Sequence, residues 1–197
     1  SSDIQFATVA TNTAIAAAVG ATVAMFWVMQ RTGKPDPGMM INGMLAGLVA
    51  ITPAAGFVSG AAPIWIGLIA GVVCCYAVRL KTKVGYDDAL DVVGVHFVGG
   101  LVGSLLIGFF ANPAFFGLND EGGLKFMEGI FYGGNAELLI EQIIANGAAI
   151  AWSFPITFAI MMALKKTIGV RVSAEEESTG LDLALHSETA YHSGGLG

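Results

Sequence analysis

Asp91-Val92-Val93-Gly94-Val95-His96-Phe97-Val98-Gly99-Gly100 places an imidazole inside a glycine-rich apolar run. The run extends over about 89–110, close to the roughly 20 residues that a helix needs to cross a bilayer. An ionisable side chain at that depth is costly, so its presence is in itself a pointer to function. His96 therefore decides two things together: whether the chain spans membranes, and where its site lies.

The composition agrees with a membrane protein. Of 197 residues, 55% are hydrophobic and 12% charged, against about 25% charged in a typical soluble domain. Mean hydropathy is +0.71. The net charge of −6 comes largely from an acidic tail, and no basic stretch points to nucleic acid. Cys74 and Cys75 are adjacent in an apolar run, which is neither a disulfide framework nor a metal-ligand spacing. They read as small packing residues. The opening Ser1-Ser2-Asp3 lacks the charged start of a cleavable signal peptide. The missing initiator methionine suggests sequence upstream.

Five spans are expected, over about 4–29, 39–58, 62–80, 89–110 and 138–164. Residues 1–169 thus form a transmembrane helical region, and 170–197 a polar tail. Arg31, Lys34, Arg79, Lys81, Lys83, Lys165, Lys166 and Arg171 fall on one side of this layout, and Lys125 alone on the other. Positive charge collects on the cytoplasmic side. The chain's N-terminus is therefore expected outside, its tail in the cytoplasm, and the protein in the plasma membrane.

Close helix packing is also expected. Gly43/Gly47, Gly56/Gly60, Gly67/Gly71 and Gly99/Gly103 are small-xxx-small pairs, which let helices approach closely in lipid. Thr52-Pro53 should weaken the second span near its outer end, because proline removes a hydrogen bond and clashes with the preceding turn. The last span, at 1.5 Å per residue, would reach about 40 Å and so tilt.

The intramembrane polar candidates are Asn12, Thr13, Asn42, Thr52, His96, Ser104, Asn146, Ser153 and Thr157. Serine and threonine hydroxyls usually bond back to their own helix, and asparagines suit bonds between helices. Burial should keep His96 neutral, with one donor and one acceptor to offer. Regular helical spacing puts Val92 and Gly99/Gly100 on its face. A narrow apolar face of that kind suits a small neutral solute better than an ion. Asp87, Asp88 and Asp91 stand at the helix start, where acids complement the helix dipole and cap free N–H groups. Their role reads as mainly structural.

These residues resemble a known family. Asp87-Asp88-Ala-Leu-Asp91-Val-Val-Gly94-Val-His96, with Gly99, Gly100 and Gly103, resembles the signature helix of Amt/Mep/Rh ammonium transporters, on the bacterial Amt side. Ala46-Gly47-Leu-Val-Ala-Ile-Thr52-Pro53-Ala-Ala-Gly56 is similar to the family's threonine-proline helix, and Asn12-Thr13 to its asparagine-threonine helix. Gly169-Val-Arg171-Val, Gly180-Leu-Asp182 and His186-Ser-Glu188-Thr-Ala-Tyr191 resemble its cytoplasmic tail.

The resemblance implies an all-α polytopic fold of eleven helices, of which this chain would be helices seven to eleven. It implies a homotrimer with one pore per subunit, and ammonium or ammonia as the transported species. His96 would be one of two pore histidines, Val92 would line the pore one turn below it, and Thr52 would stand near the pore. In the tail, Gly180, Asp182, His186 and Tyr191 would be regulatory, with Asp182 bridging to a neighbouring subunit and a PII-type signalling protein as partner. No cofactor or metal is implied. The partner histidine lies outside this chain, so the chain is expected to be the C-terminal part of a transporter, natural or truncated. Phe97 departs from the glycine that often follows the histidine in bacterial members, which changes a helix contact.

Competing readings are an ammonium sensor or docking platform for a PII-type protein, with little transport, and a purely structural bundle. An enzyme is not expected, because the sequence offers no nucleophile–base pair, metal cluster or phosphate loop.

Overall fold

The computed structural model describes residues 2–113 and 127–189, with side chains from residue 5 onward. Among these residues lie seven α-helices and no strand: α1 (Ser2–Thr32), α2 (Pro37–Ile51), α3 (Ala62–Val84), α4 (Val98–Phe110), α5 (Glu137–Thr167), α6 (Ala174–Thr179) and α7 (Leu181–His186). A π-helical turn, Val93–Phe97, leads directly into α4. Lys125, which sets the orientation argument, and Tyr191 lie outside the described residues. The chain divides into two compact units, Ser1–Ala148 and Ala149–Gly197.

Among the described residues, four helical stretches are long and apolar enough to cross a bilayer: Gln5–Thr32, Ala62–Val84, Val93–Phe110 and Glu137–Thr167. Pro37–Ile51 is apolar but shorter. The second span expected over 39–58 thus ends early as a helix. Its terminus is built as the Thr52-Pro53 pair dictates. The Thr52 hydroxyl and backbone N–H both turn back to the Leu48 carbonyl, at 2.7 and 3.2 Å. A series of tight turns follows, with Ala54 and Ala55 N–H on the Ile51 carbonyl at 2.9 and 2.7 Å.

Glycine placement explains how the helices of the first unit meet. Methyl groups on Gly47 and Gly67 would both overlap the backbone of Ala16, which is fully buried between them. Gly20 is wedged in the same way between Gly43 and Gly71. Contacts 16–47 and 20–43 run α1 antiparallel to α2, whereas 16–67 and 20–71 run it parallel to α3. On the other side of α2, Gly103 meets Ala50 and Gly99 meets Val49, so α4 runs parallel to α2. This alternation is that of successive crossings. Gly56/Gly60 differs from the sequence reading. Both glycines fall in turns between α2 and α3, and Gly60 has a left-handed φ of +61° that favours glycine.

Asn12 on α1 secures those turns from below, donating to the Ala55 and Val58 carbonyls at 2.9 and 2.8 Å. The end of α4 is tied to the same region by Asn112, whose backbone N–H bonds Phe57 at 2.6 Å and whose amide bonds Ser59 at 2.9 Å. Between α4 and the first half of α5, Ser104 donates to Gln142 at 2.7 Å and accepts from Asn146 at 2.9 Å. Thr13 follows the local pattern, its hydroxyl bonding back to the Val9 carbonyl at 2.7 Å. At the basic end of α1 and α3, the Arg31 guanidinium lies 4.1 Å above the Trp27 ring. Cys74 and Cys75 are buried and free.

In the second unit, the remainder of α5 passes through Pro155 without ending. Its apolar residues, among them Trp152 and Phe158, are exposed. The tail forms two short helices. Ser173 and Glu176 make a reciprocal capping box at the start of α6, satisfying N–H groups that a helix start leaves unpaired.

Candidate functional site

The described site is built on one irregularity. Across Val93–Phe97 the helix widens, and the Val98 N–H bonds to the Val93 carbonyl, five residues back. Such π-turns are rare and often accompany function. His96 stands within it and is exposed, as are Val92, Val93 and Phe97. Among the described residues the imidazole has no hydrogen-bond partner.

The π-turn also changes which residues share a face. The regular spacing expected from sequence put Gly99 and Gly100 beside His96. Here Gly99 is buried with Val49 at its back, and Gly100 turns to the same side. The widened turn covers Val93–Phe97 and regular helix resumes at Val98, so the positions before the histidine are the ones whose angular relation to it changes. The exposed side chains next to His96 in the chain are Val92, Val93 and Phe97.

The start of this helix is strongly organised. The Asp88 carboxylate accepts from the backbone N–H groups of Val92 and Val93, both at 2.8 Å. Asp91 adopts a left-handed φ of 56°, uncommon for a residue with a side chain. One of its carboxylate oxygens is paired with the Lys81 ammonium of α3, and the other accepts from the Asn42 amide of α2 at 2.8 Å. Lys81 donates also to the Asp88 carbonyl at 2.7 Å. Asp87 is exposed nearby. Sequence reading grouped the three acids as helix-start residues but did not foresee that Asp91 would join α2 to α3. Asn42 was visible as a polar residue in a span, and Lys81 only as a charge; nothing in their spacing paired them.

Thr52 is exposed at the end of α2. Since Ala50 lies level with Gly103 on the parallel α4, Thr52 is about 13 Å beyond His96 along the helix axis, from 1.5 Å per residue. The two are not brought together; they sit at different depths along neighbouring parallel helices. In the tail, Gly180 has a φ of +100° between α6 and α7, and a side chain there would press on the Asp182 carboxylate. Asp182 lies in the first turn of α7 and His186 in its last. Among the described residues no group of His, Cys, Asp and Glu is placed to hold a metal ion.

An all-helical bundle of alternating apolar crossings, with an imidazole on an irregular turn within one of them, defines a multi-pass membrane protein. The profile of the Ammonium Transporter Family matches residues 1–191, and the chain belongs to that family. It is 43% identical over 187 residues to the ammonium transporter of Bacillus subtilis, covering 94% of this chain and 44% of that protein. The ammonium transporter of Mycobacterium tuberculosis is 45% identical over 161 residues, covering 82% of this chain and 33% of that one. This chain therefore spans less than half the length of these relatives, which are named as transporters and not as enzymes. Among solved structures, Candida albicans Mep2 matches with a TM-score of 0.79 and 32% identity, covering 88% of this chain and 38% of that one. A structure titled "Sensor Amt Protein" matches at 0.77 and 28%, covering 92% and 42%.

Proposed function

We propose that this chain supplies one histidine-bearing half of a pore for ammonium or ammonia in the plasma membrane. The observation that carries the reading is the exposed imidazole of His96 on a π-turn, in a stretch where Val92, Val93 and Phe97 are exposed too. A neutral imidazole can both donate and accept a hydrogen bond, while apolar neighbours disfavour a bare cation. In this reading Val92 lines the path beside His96, and Thr52 stands nearer its outer end. Asp87, Asp88 and Asp91 organise the helix start. The N-terminus of the chain lies outside and the tail, 170–197, in the cytoplasm.

The complete assembly is proposed to be a homotrimer with a second histidine contributed from outside this chain. The test joins the chain to the part of the B. subtilis transporter that it does not match, and follows methylammonium uptake. His96→Ala should abolish most uptake at unchanged membrane abundance. Normal uptake by that variant would remove His96 from the pathway.

A sensor role is the second reading, favoured by the likeness to the structure titled as a sensor and by the capping box that Ser173 and Glu176 form in the tail. Gly180, Asp182, His186 and Tyr191 would then contribute to docking a PII-type protein. Capture of such a protein should be lost on removing residues 170–197, and persistence of capture would exclude the tail.

A further inference from the structure

We propose that Lys81 and Asn42 are positioning residues: acting through Asp91, they clamp the left-handed turn that precedes the π-turn and so set the direction of the His96 imidazole. The functional weight of this rests on the pore reading above, but its structural content does not.

Asp91 stands in a backbone conformation that a residue with a side chain keeps only where its surroundings over-determine it. Those surroundings are specific. Each carboxylate oxygen is taken by a different helix, Oδ1 by Lys81 of α3 and Oδ2 by Asn42 of α2. The same ammonium reaches the Asp88 carbonyl, and the Asp88 carboxylate holds the first two N–H groups of the incoming helix. A single cation thus connects both acids that start the turn. The Asp91 carbonyl then accepts from Val95, one residue before the histidine, at 2.8 Å. Behind the turn, Gly94 lies against Val78 of α3, where a methyl group would stand 3.0 Å from the valine side chain.

The pair is also shielded. The Lys81 and Asp91 side chains are 25% and 16% exposed, so water competes with it less than at an open surface. Without the clamp, Asp91 is free to leave the left-handed region and the following residues to take regular α-helical spacing. That would rotate His96 relative to α2 and α3.

The chain has three histidines, His96, His186 and His192. Selective ¹⁵N labelling of their imidazoles, in the full chain in lipid nanodiscs, gives a readout at the ring itself; His96→Ala assigns the signal. Lys81→Met and Asn42→Ala should each move the His96 signal and leave the other two in place, while Lys81→Arg, which keeps the cation, should leave all three. An unmoved His96 signal in the Lys81→Met and Asn42→Ala variants overturns the proposal. So does a shift with Lys81→Arg as large as with Lys81→Met. Should Lys81→Met fail to fold, Asn42→Ala, which retains the ion pair, decides by the same criterion.

Uptake by the joined protein separates this from the pore reading. Lys81→Met should lower maximal uptake several-fold and restore with Lys81→Arg, with the half-saturating concentration little changed. Normal uptake by His96→Ala, beside a moved His96 signal in Lys81→Met, would remove the pore reading and leave the clamp. Loss of uptake in His96→Ala with an unmoved signal would do the reverse.

Discussion

The Asn12 amide reaches two carbonyls at once, Ala55 at 2.9 Å and Val58 at 2.8 Å, and so holds from α1 the non-helical backbone that follows α2. Asn12 is 4% exposed and Val58 fully buried. At membrane depth, non-helical backbone persists only where protein groups satisfy it.

Asn12→Leu should therefore destabilise the chain well beyond the loss of one ordinary hydrogen bond. Two buried acceptors lose their donor, so the expected cost is about 2–6 kcal/mol at roughly 1–3 kcal/mol each. Reversible unfolding in detergent measures it. A loss under about 0.5 kcal/mol, the size of an ordinary surface change, would mean that the turns do not depend on Asn12.

Glycines differ sharply in what they can tolerate. Gly67→Ala places a methyl group 2.5 Å from the Ala16 carbonyl oxygen, and overpacking of that kind costs about 1–3 kcal/mol. Gly147, on α5, has nothing within 4 Å of the same position. Gly147→Ala should be neutral or stabilising by up to about 1 kcal/mol, from helix propensity. Thermal denaturation of the two variants should shift in opposite directions, or at least by clearly different amounts.

The Ser104–Gln142–Asn146 cluster should behave as one unit. Ser104 both donates and accepts within it, and polar contacts between membrane helices are worth about 0.6–2 kcal/mol. Ser104→Ala and Asn146→Leu should then be non-additive in a double-mutant cycle. Strict additivity would show that the bonds contribute nothing to the attachment of α5.

The tail carries a pH-sensitive cap. The backbone N–H and hydroxyl of Ser173 both bond the Glu176 carboxylate and hold its pKa below the ordinary carboxylate value. A depressed acid stabilises the fold above its unfolded pKa, near about 4.3, and that stability disappears as pH falls through the lower folded value. Protection of the Ser173 and Glu176 amides, taken relative to their intrinsic exchange rate at each pH, should be full above about pH 4.3 and fall below it. Glu176→Gln, which keeps the geometry of the box, should abolish the dependence on pH in this range; its persistence would assign it to another acid.

Much of this was legible in the primary structure because the bilayer leaves few alternatives. Apolar length marked the spans, and small residues at four-residue spacing marked close crossings at Gly43/Gly47 and Gly67/Gly71. The same pattern misled at Gly56/Gly60, because Thr52-Pro53 had already ended the helix and spacing carries no meaning in turns. His96 stood out through the cost of an imidazole in an apolar run. The widened turn that carries it could not be read, since hydrogen bonds that reach back five residues instead of four leave no periodic mark in the sequence.

By itself the sequence determined the fold class, the place of His96 within an apolar helical run and the residue types free to pack, since each follows from transfer energies and helix period. The tertiary structure alone decided the rest. A left-handed Asp91 and a widened turn are not local preferences, and they persist because Lys81 and Asn42 arrive from two other helices to hold them. Contacts between residues distant in the chain carry no periodic signal, so the direction in which the histidine points is written only in the folded bundle.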